Sequence, residues 1–241
     1  VHTEAIESAC ADMWPAVQEC PLGRWRLRAA GGFTGRANTA LVLGDPGMPT
    51  EAALDRVRAF YSGHGLTPKL QVIEGAAAEP ELRAHGWRTD PDNCGDSGVA
   101  VLLGPLASDA VLGGVYPEPP RSWWPLTIGA TGPDPAQRQV LTGYPRTGYG
   151  LIEDGDAALA VGRAAVHGEL LHIARLAVAP EQRRRGLAKG LLGALFRWGA
   201  EQGARHCVLQ VDTANTAALR LYGGLGYREH HRYRYWIPAV A

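Results

Sequence analysis

Cysteine is scarce in this chain of 241 residues and falls without pattern. Cys10, Cys20, Cys94 and Cys207 form no C-x-x-C pair and have no histidine at zinc-ligand spacing. A metal site and a disulfide framework are therefore not expected, and the thiols read as reduced, with Cys207 in a strand core. Net charge is missing too. The 24 Lys and Arg balance 24 Asp and Glu, which argues against nucleic acid as a partner, since its electrostatic footprint would have to be local. No apolar run reaches the length of about 18 residues that a membrane span needs, and Val1-His2-Thr3-Glu4 lacks the cationic-plus-apolar pattern of a secretion signal. The expectation is a cytoplasmic protein, monomer or homodimer, with neither membrane nor metal. The familiar nucleotide loops, G-x-x-x-x-G-K-[S/T] and G-x-G-x-x-G after a strand, are absent as well.

What is present points to a phosphate. Leu170 to Val178 reads as a strand, which Pro180 ends. Leu187, Leu191, Leu192, Leu195 and Trp198 form an apolar stripe of helical period, predicting a helix from Leu187 to about Gln202. Between them lies Arg183-Arg184-Arg185-Gly186. Three arginines oppose the dipole of a helix N-terminus unless an anion binds there, and the exposed N–H groups of that terminus suit a diphosphate. A solvated basic helix start is the plainer alternative.

Arg183-Arg184-Arg185-Gly186-Leu187-Ala188 matches the R/Q-x-x-G-x-G/A signature of the GNAT (general control-related N-acetyltransferase) superfamily. Val178-Ala179-Pro180-Glu181 precedes it as that family's V-x-P-E. A strand at Ala204–Asp212 follows, and the run from Asn215 through Tyr222 and Gly226 to Tyr227 resembles the family's N-x-x-A-x-x-L-Y-x-x-x-G-F/Y segment. The resemblance covers about Tyr149 to Tyr235. It implies an α/β fold, a mixed central sheet flanked by helices, and acetyl-CoA as co-substrate held where two parallel strands splay. Arg183, Arg184, Arg185, Gly186, Leu187, Ala188 and Lys189 would hold the pyrophosphate. Backbone groups of Leu176, Ala177 and Val178 would hold the pantetheine arm, with the Val178 N–H polarising the thioester carbonyl. Ala188 replaces the commoner glycine as an allowed variant.

The first half repeats this order faintly. Arg26–Arg28 and Ala37–Leu43 read as strands, and Glu51 to about Ser62 as a helix capped by Thr50. Lys69–Ile73 shares Leu-Gln-Val with Val208–Asp212, and Ala76–Ala84 parallels Thr216–Gly224. A tandem arrangement follows, with a degenerate GNAT-like lobe at 1–104, a Pro/Gly-rich and mostly extended connection at 105–135, and a catalytic GNAT domain at 136–241. Where the second half has the arginine–glycine loop, the first has Asp45-Pro46-Gly47-Met48-Pro49-Thr50, and prolines lack the N–H groups a phosphate needs. Leu82 stands at the position of Tyr222. The first lobe is expected to complete the sheet and wall the acceptor cleft without binding CoA.

Amine acetylation needs a deprotonated amine, a polarised thioester and a proton for the leaving thiolate. A lysine amine titrates near ~10.4 and an α-amine near ~7.7–8.0, so the first needs more help. The resemblance implies Tyr222 as general acid, its plainer reading being a half-buried helix tyrosine. It implies Asn215 beside the pantetheine or a bound water, though a helix N-cap suits that residue equally. For the base, His172 or a water is expected, His172 lying on the strand where family members carry glutamate. A satisfied core histidine is the alternative, and Glu169 the reserve. Arg175 faces an acidic acceptor or simply the sheet surface. Arg228–Trp236 reads as a last strand, bordering the acceptor or forming a solvated edge. Small-molecule primary-amine acetylation leads, with protein lysine or N-terminal acetylation, or a non-catalytic acyl-CoA sensor, as alternatives.

Overall fold

The computed structural model describes residues 2–93 and 98–239, which leaves Cys94 outside the described residues. Its first half runs α1 (Thr3–Asp12), β1 (Gln18–Leu22), β2 (Trp25–Ala29), β3 (Ala40–Val42), α2 (Thr50–Gly63), β4 (Leu70–Ile73), α3 (Glu79–Ala84), β5 (Trp87–Thr89) and β6 (Val99–Gly104). Next come β7 (Gly114–Tyr116), α4 (Trp123–Ile128), α5 (Pro135–Thr142), β8 (Thr147–Asp154), β9 (Ala157–His167) and β10 (Leu170–Val178). The chain closes with α6 (Leu187–Glu201), β11 (His206–Asp212), α7 (Thr216–Gly224) and β12 (Arg228–Pro238).

One mixed sheet runs β1-β2-β3-β4-β12-β6-β11-β10-β9-β8-β7, with β5 added to β12. Its parallel pairs are β3 with β4 and β10 with β11, so each half contains a strand–helix–parallel-strand unit. The halves exchange their closing strands. β6 lies between β12 and β11, while β12 lies between β4 and β6. The division at 104 and 136 thus follows the chain but not the sheet, because neither half completes its sheet alone.

This exchange corrects the reading of the last strand as an edge. β12 is bonded on both sides, Tyr233 and Tyr235 are buried, and His231 Nε2 meets Glu7 Oε1 at 2.9 Å in the interior. Two smaller expectations also shift. Pro49 holds the N-cap position of α2, with Thr50 as its first residue and no side-chain cap bond. Ala37 falls in a 3-10 turn, Arg36–Asn38, ahead of β3.

The helix α6 forms as its periodicity predicts. Leu191, Leu192 and Leu195 are fully buried against the second-half sheet, each contributing at most about 1.5–3 kcal/mol of transfer free energy. The connection is not merely extended. Within it β7 joins the sheet edge, and α4 buries Trp123 and Trp124 against Tyr149, Val161 and their neighbours. Ahead of β7, Ser108 to Leu112 straps across α6. The Leu112 N–H donates to Gly190 O at 2.9 Å, Ser108 Oγ donates to Lys189 O at 3.3 Å, and Lys189 Nζ meets Asp109 at 2.6 Å. Gly190 and Gly193 permit that approach: a Cβ on Gly193 would stand 1.9 Å from the Ala110 carbonyl oxygen.

Candidate functional site

β10 and β11 pair only from Leu170↔His206 to Ile173↔Leu209. Beyond that, β11 stays with β6 as far as Asp212↔Val99, and β10 with β9 as far as Val178↔Ala160. The strands part, and a cavity of about 440 Å³ opens between them. Its walls are Ile173–Ala177, Leu209–Asp212, Asn215, Ala218 and Tyr222, closed by Leu126 and Thr127 from α4 and Arg36 from the first half. In the first half the parallel pair stays together along the whole of β3, to Val42↔Val72.

A bulge shapes the β10 side. The β9–β10 register shifts between Ala174 and Ala177, and Arg175 sits there with φ +55°. A side chain in that region costs about 1–2 kcal/mol, and bulges of this kind ordinarily take glycine. Past the bulge, the Ala179 N–H donates to Leu159 O at 2.9 Å. Antiparallel bonding alternates, so Val178 turns its N–H and C=O away from β9, toward the side β11 has left.

The Arg183–Lys189 segment stands beyond this strand end. Arg184 (φ +60°) and Gly186 (φ +78°) are left-handed, a conformation that lets successive amides converge on an anion. Gly186 is the N-cap of α6 without a side-chain cap, and the first intrahelical bond from the loop runs from the Gly190 N–H to Gly186 O. Among the described residues the N–H groups of Leu187, Ala188 and Lys189 have no acceptor, as helix geometry requires of a first turn. The three arginines are exposed. Arg183 donates to Val178 O at 3.4 Å and Arg185 to the Gln182 side chain. These free amides, flanking cations and open space around Gly186 fit a diphosphate. Among the described residues the first half has no such cradle: Asp45 accepts the Gly47 N–H at 2.7 Å, closing that loop on itself.

Tyr222 lines the cavity from α7 and is otherwise buried. Burial, with Cys207 adding to it, pushes its phenol well above the usual tyrosine range. Its hydroxyl therefore stays protonated at neutral pH, and among the described residues it has no hydrogen-bond partner. Asn215 caps α7, its Oδ1 accepting the Ala218 N–H at 3.0 Å, and also borders the cavity.

His172 requires a correction. It is wholly buried and is not part of the cavity wall. Its Nε2 stands 3.2 Å from the Arg36 guanidinium, so Nε2 accepts and Nδ1 carries the proton, without a partner. Burial, then Arg36 and Arg163, holds its pKa well below the usual histidine value. A ring whose charged form burial disfavours, and which lies outside the cavity wall, reads as a core histidine rather than a base. Glu169 is no substitute, since it pairs with Arg205 at 3.0 Å at the other end of β10. A pH consequence follows. The unfolded chain takes up a proton near ~6.5 that the folded one refuses, so stability falls as pH drops below that value, by up to about 1.4 kcal/mol per pH unit. Thermal melts between pH 7 and 5 should lose less for His172→Gln than for the parent; equal losses would remove His172 from the account.

Sequence reasoning missed Arg36, Gln210 and Asp212. Arg36 donates to Gln210 Oε1 and stacks over Trp14, 4.7 Å from the ring centroid. It sits in a loop with no motif, and only the three-dimensional fold brings it to the cavity. Of the non-glycine residues with positive φ among the described residues, Thr34 belongs to this loop, Arg175 to the bulge and Arg184 to the cradle. No group of His, Cys, Asp or Glu among the described residues is placed to hold a metal, and no helix there is long and apolar enough to cross a membrane.

A splayed parallel pair with an anion cradle at its end is the arrangement of the GNAT superfamily, the acyl-CoA-dependent N-acetyltransferases. Comparisons with known proteins agree. The chain belongs to the family described as "Probable histone acetyltransferase Rv0428c C-terminal", which matches residues 2–236. It is 30% identical to the "Probable histone acetyltransferase Rv0428c" of Mycobacterium tuberculosis over 98% of this chain and 73% of that protein. Identity to the "Uncharacterized N-acetyltransferase YobR" of Bacillus subtilis is 27%, over 94% of this chain and 96% of that one. The fold is similar to a GCN5-related N-acetyltransferase from Kribbella flavida, with TM-score 0.70 and 17% identity over 99% and 96% of the two chains.

Proposed function

We propose that the protein transfers the acetyl group of acetyl-CoA to a primary amine of a small-molecule acceptor by direct attack. The observation that carries this is the placement of Tyr222 on the wall of a cavity whose other wall is the end of β10 that β11 has left, with the Arg183–Lys189 cradle just beyond. The Val178 N–H polarises the thioester carbonyl. The neutral amine attacks it, the C–S bond breaks, and Tyr222 gives its proton to the departing sulfur. The surplus amine proton leaves to water, since His172 is out of reach, and the phenolate regains a proton from solvent. The cavity measures about 440 Å³ in all and carries Arg36 and Arg175 in its wall, which supports a small acceptor over a lysine-rich protein segment. "Histone" in the mycobacterial relative's name supports the alternative. Free-thiol release on matched panels of small amines and peptides tests the two: turnover on small amines is expected, and turnover confined to peptides would overturn the reading.

A further inference from the structure

We infer that the acceptor is a small amine that carries its own carboxylate, an amino-acid-like zwitterion, and that Arg175 and Arg36 recognise that carboxylate. The inference rests on the N-acetyltransferase reading of the same cavity and names its substrate class.

Charge in the cavity is unbalanced. Arg175 and Arg36 both line it, and neither is in an ion pair among the described residues. Asp212 is the one carboxylate in the wall, and one of its oxygens accepts the Ala214 N–H at 2.8 Å. Each guanidinium keeps donors to spare. Arg175 bonds through Nη2 to Thr127 O, and Arg36 through Nη1 to Gln210 and His172. Their other N–H groups have no protein acceptor among the described residues, and half-buried guanidinium donors of this kind match a carboxylate in fork geometry.

Both arginines are held for the purpose. Asn38 braces the Arg36 loop: its Oδ1 accepts the N–H groups of Ala30 and Gly32, and its Nδ2 donates to Phe33 O and Thr34 O, at 2.7–3.0 Å. Buried Arg28 fixes the Arg36 carbonyl at 2.7 Å, and Trp14 lies under the guanidinium. Arg175 occupies a left-handed position where glycine would be at ease, so the backbone does not explain its side chain. Polycationic acceptors meet two cations against one carboxylate.

The test is thiol release with acetyl-CoA on free amino acids, each beside its carboxamide, with spermidine and a lysine-rich peptide as polycations. Free acids are expected to exceed their amides by about 10–100-fold in kcat/KM, as charge-assisted bonds of this type allow. Arg175→Gly suits the backbone and is expected to keep the melting temperature while bringing the acid-to-amide ratio near one; Arg175→Lys restores part of it. Equal rates on acids and amides, preference for the polycations, or a ratio that survives both Arg175→Gly and Arg36→Gln would overturn the inference and leave the N-acetyltransferase reading intact. No product on any acceptor would overturn both.

Discussion

Tyr222→Phe is expected to lower kcat by about 10²–10⁴-fold, the range of a lost general acid, while leaving acetyl-CoA affinity within a few-fold and the melting temperature unchanged. The substitution removes one oxygen. Because that oxygen has no protein partner among the described residues and faces the cavity, its loss strands no donor or acceptor and opens no void. Burial holds the phenol protonated far above neutral pH, so the proton is available whenever sulfur departs. The contrast is His172→Gln. His172 lies under Arg36, outside the cavity wall, and a glutamine there keeps an acceptor for the guanidinium. Its kcat is expected within a few-fold of the parent. Full activity in Tyr222→Phe would mean that solvent protonates the thiolate; a large kcat loss in His172→Gln, with stability intact, would restore the histidine as base.

The largest stability effect is expected at a glycine far from the chemistry. Gly193→Ala places a Cβ 1.9 Å from the Ala110 carbonyl, a backbone atom that cannot rotate away. Either the strap lifts from α6 or the helix shifts, at a cost of about 3 kcal/mol, the upper end for overpacking. For a chain of this size that is roughly 6–12 °C of melting temperature. The strap also holds the helix start, since Ser108 and Asp109 both bind Lys189, the third residue of α6. Acetyl-CoA affinity is therefore expected to fall with stability. Gly63→Ala is the control: nothing stands within 4 Å of its Cβ, and helix propensity favours alanine by up to about 1 kcal/mol. Equal melting temperatures for the two variants would show that the strap does not fix the helix.

How far the sequence led depends on whether the information was local. β10 ends at Val178 and α6 begins at Leu187, where Pro180 and the leucine stripe put them, because period and punctuation are properties of neighbouring residues. Tyr222 and Asn215 reach the cavity because α7 carries a motif with fixed spacing. The exchange of β6 and β12 was not legible, since nothing in a strand's own residues states which distant strand it will pair with. Arg36 came to the site by that same long-range folding. His172 was misplaced for a subtler reason. Placing His172 at the site from its position on the strand assumes an unbroken alternation, and the bulge at Arg175 breaks it without the glycine that usually signals one.

In the proposed reading one acetyl-CoA binds in the gap between β10 and β11, its pyrophosphate on the Arg183–Lys189 cradle and its thioester beside Tyr222. A crystal structure of the acetyl-CoA complex tests this most directly. Phosphate oxygens are expected within hydrogen-bond distance of the Gly186, Leu187 and Ala188 amides, the thioester carbonyl facing the Val178 N–H, and the sulfur beside the Tyr222 hydroxyl. Acetyl-CoA seated against the first-half parallel pair, or with its thioester turned away from Tyr222, would contradict it.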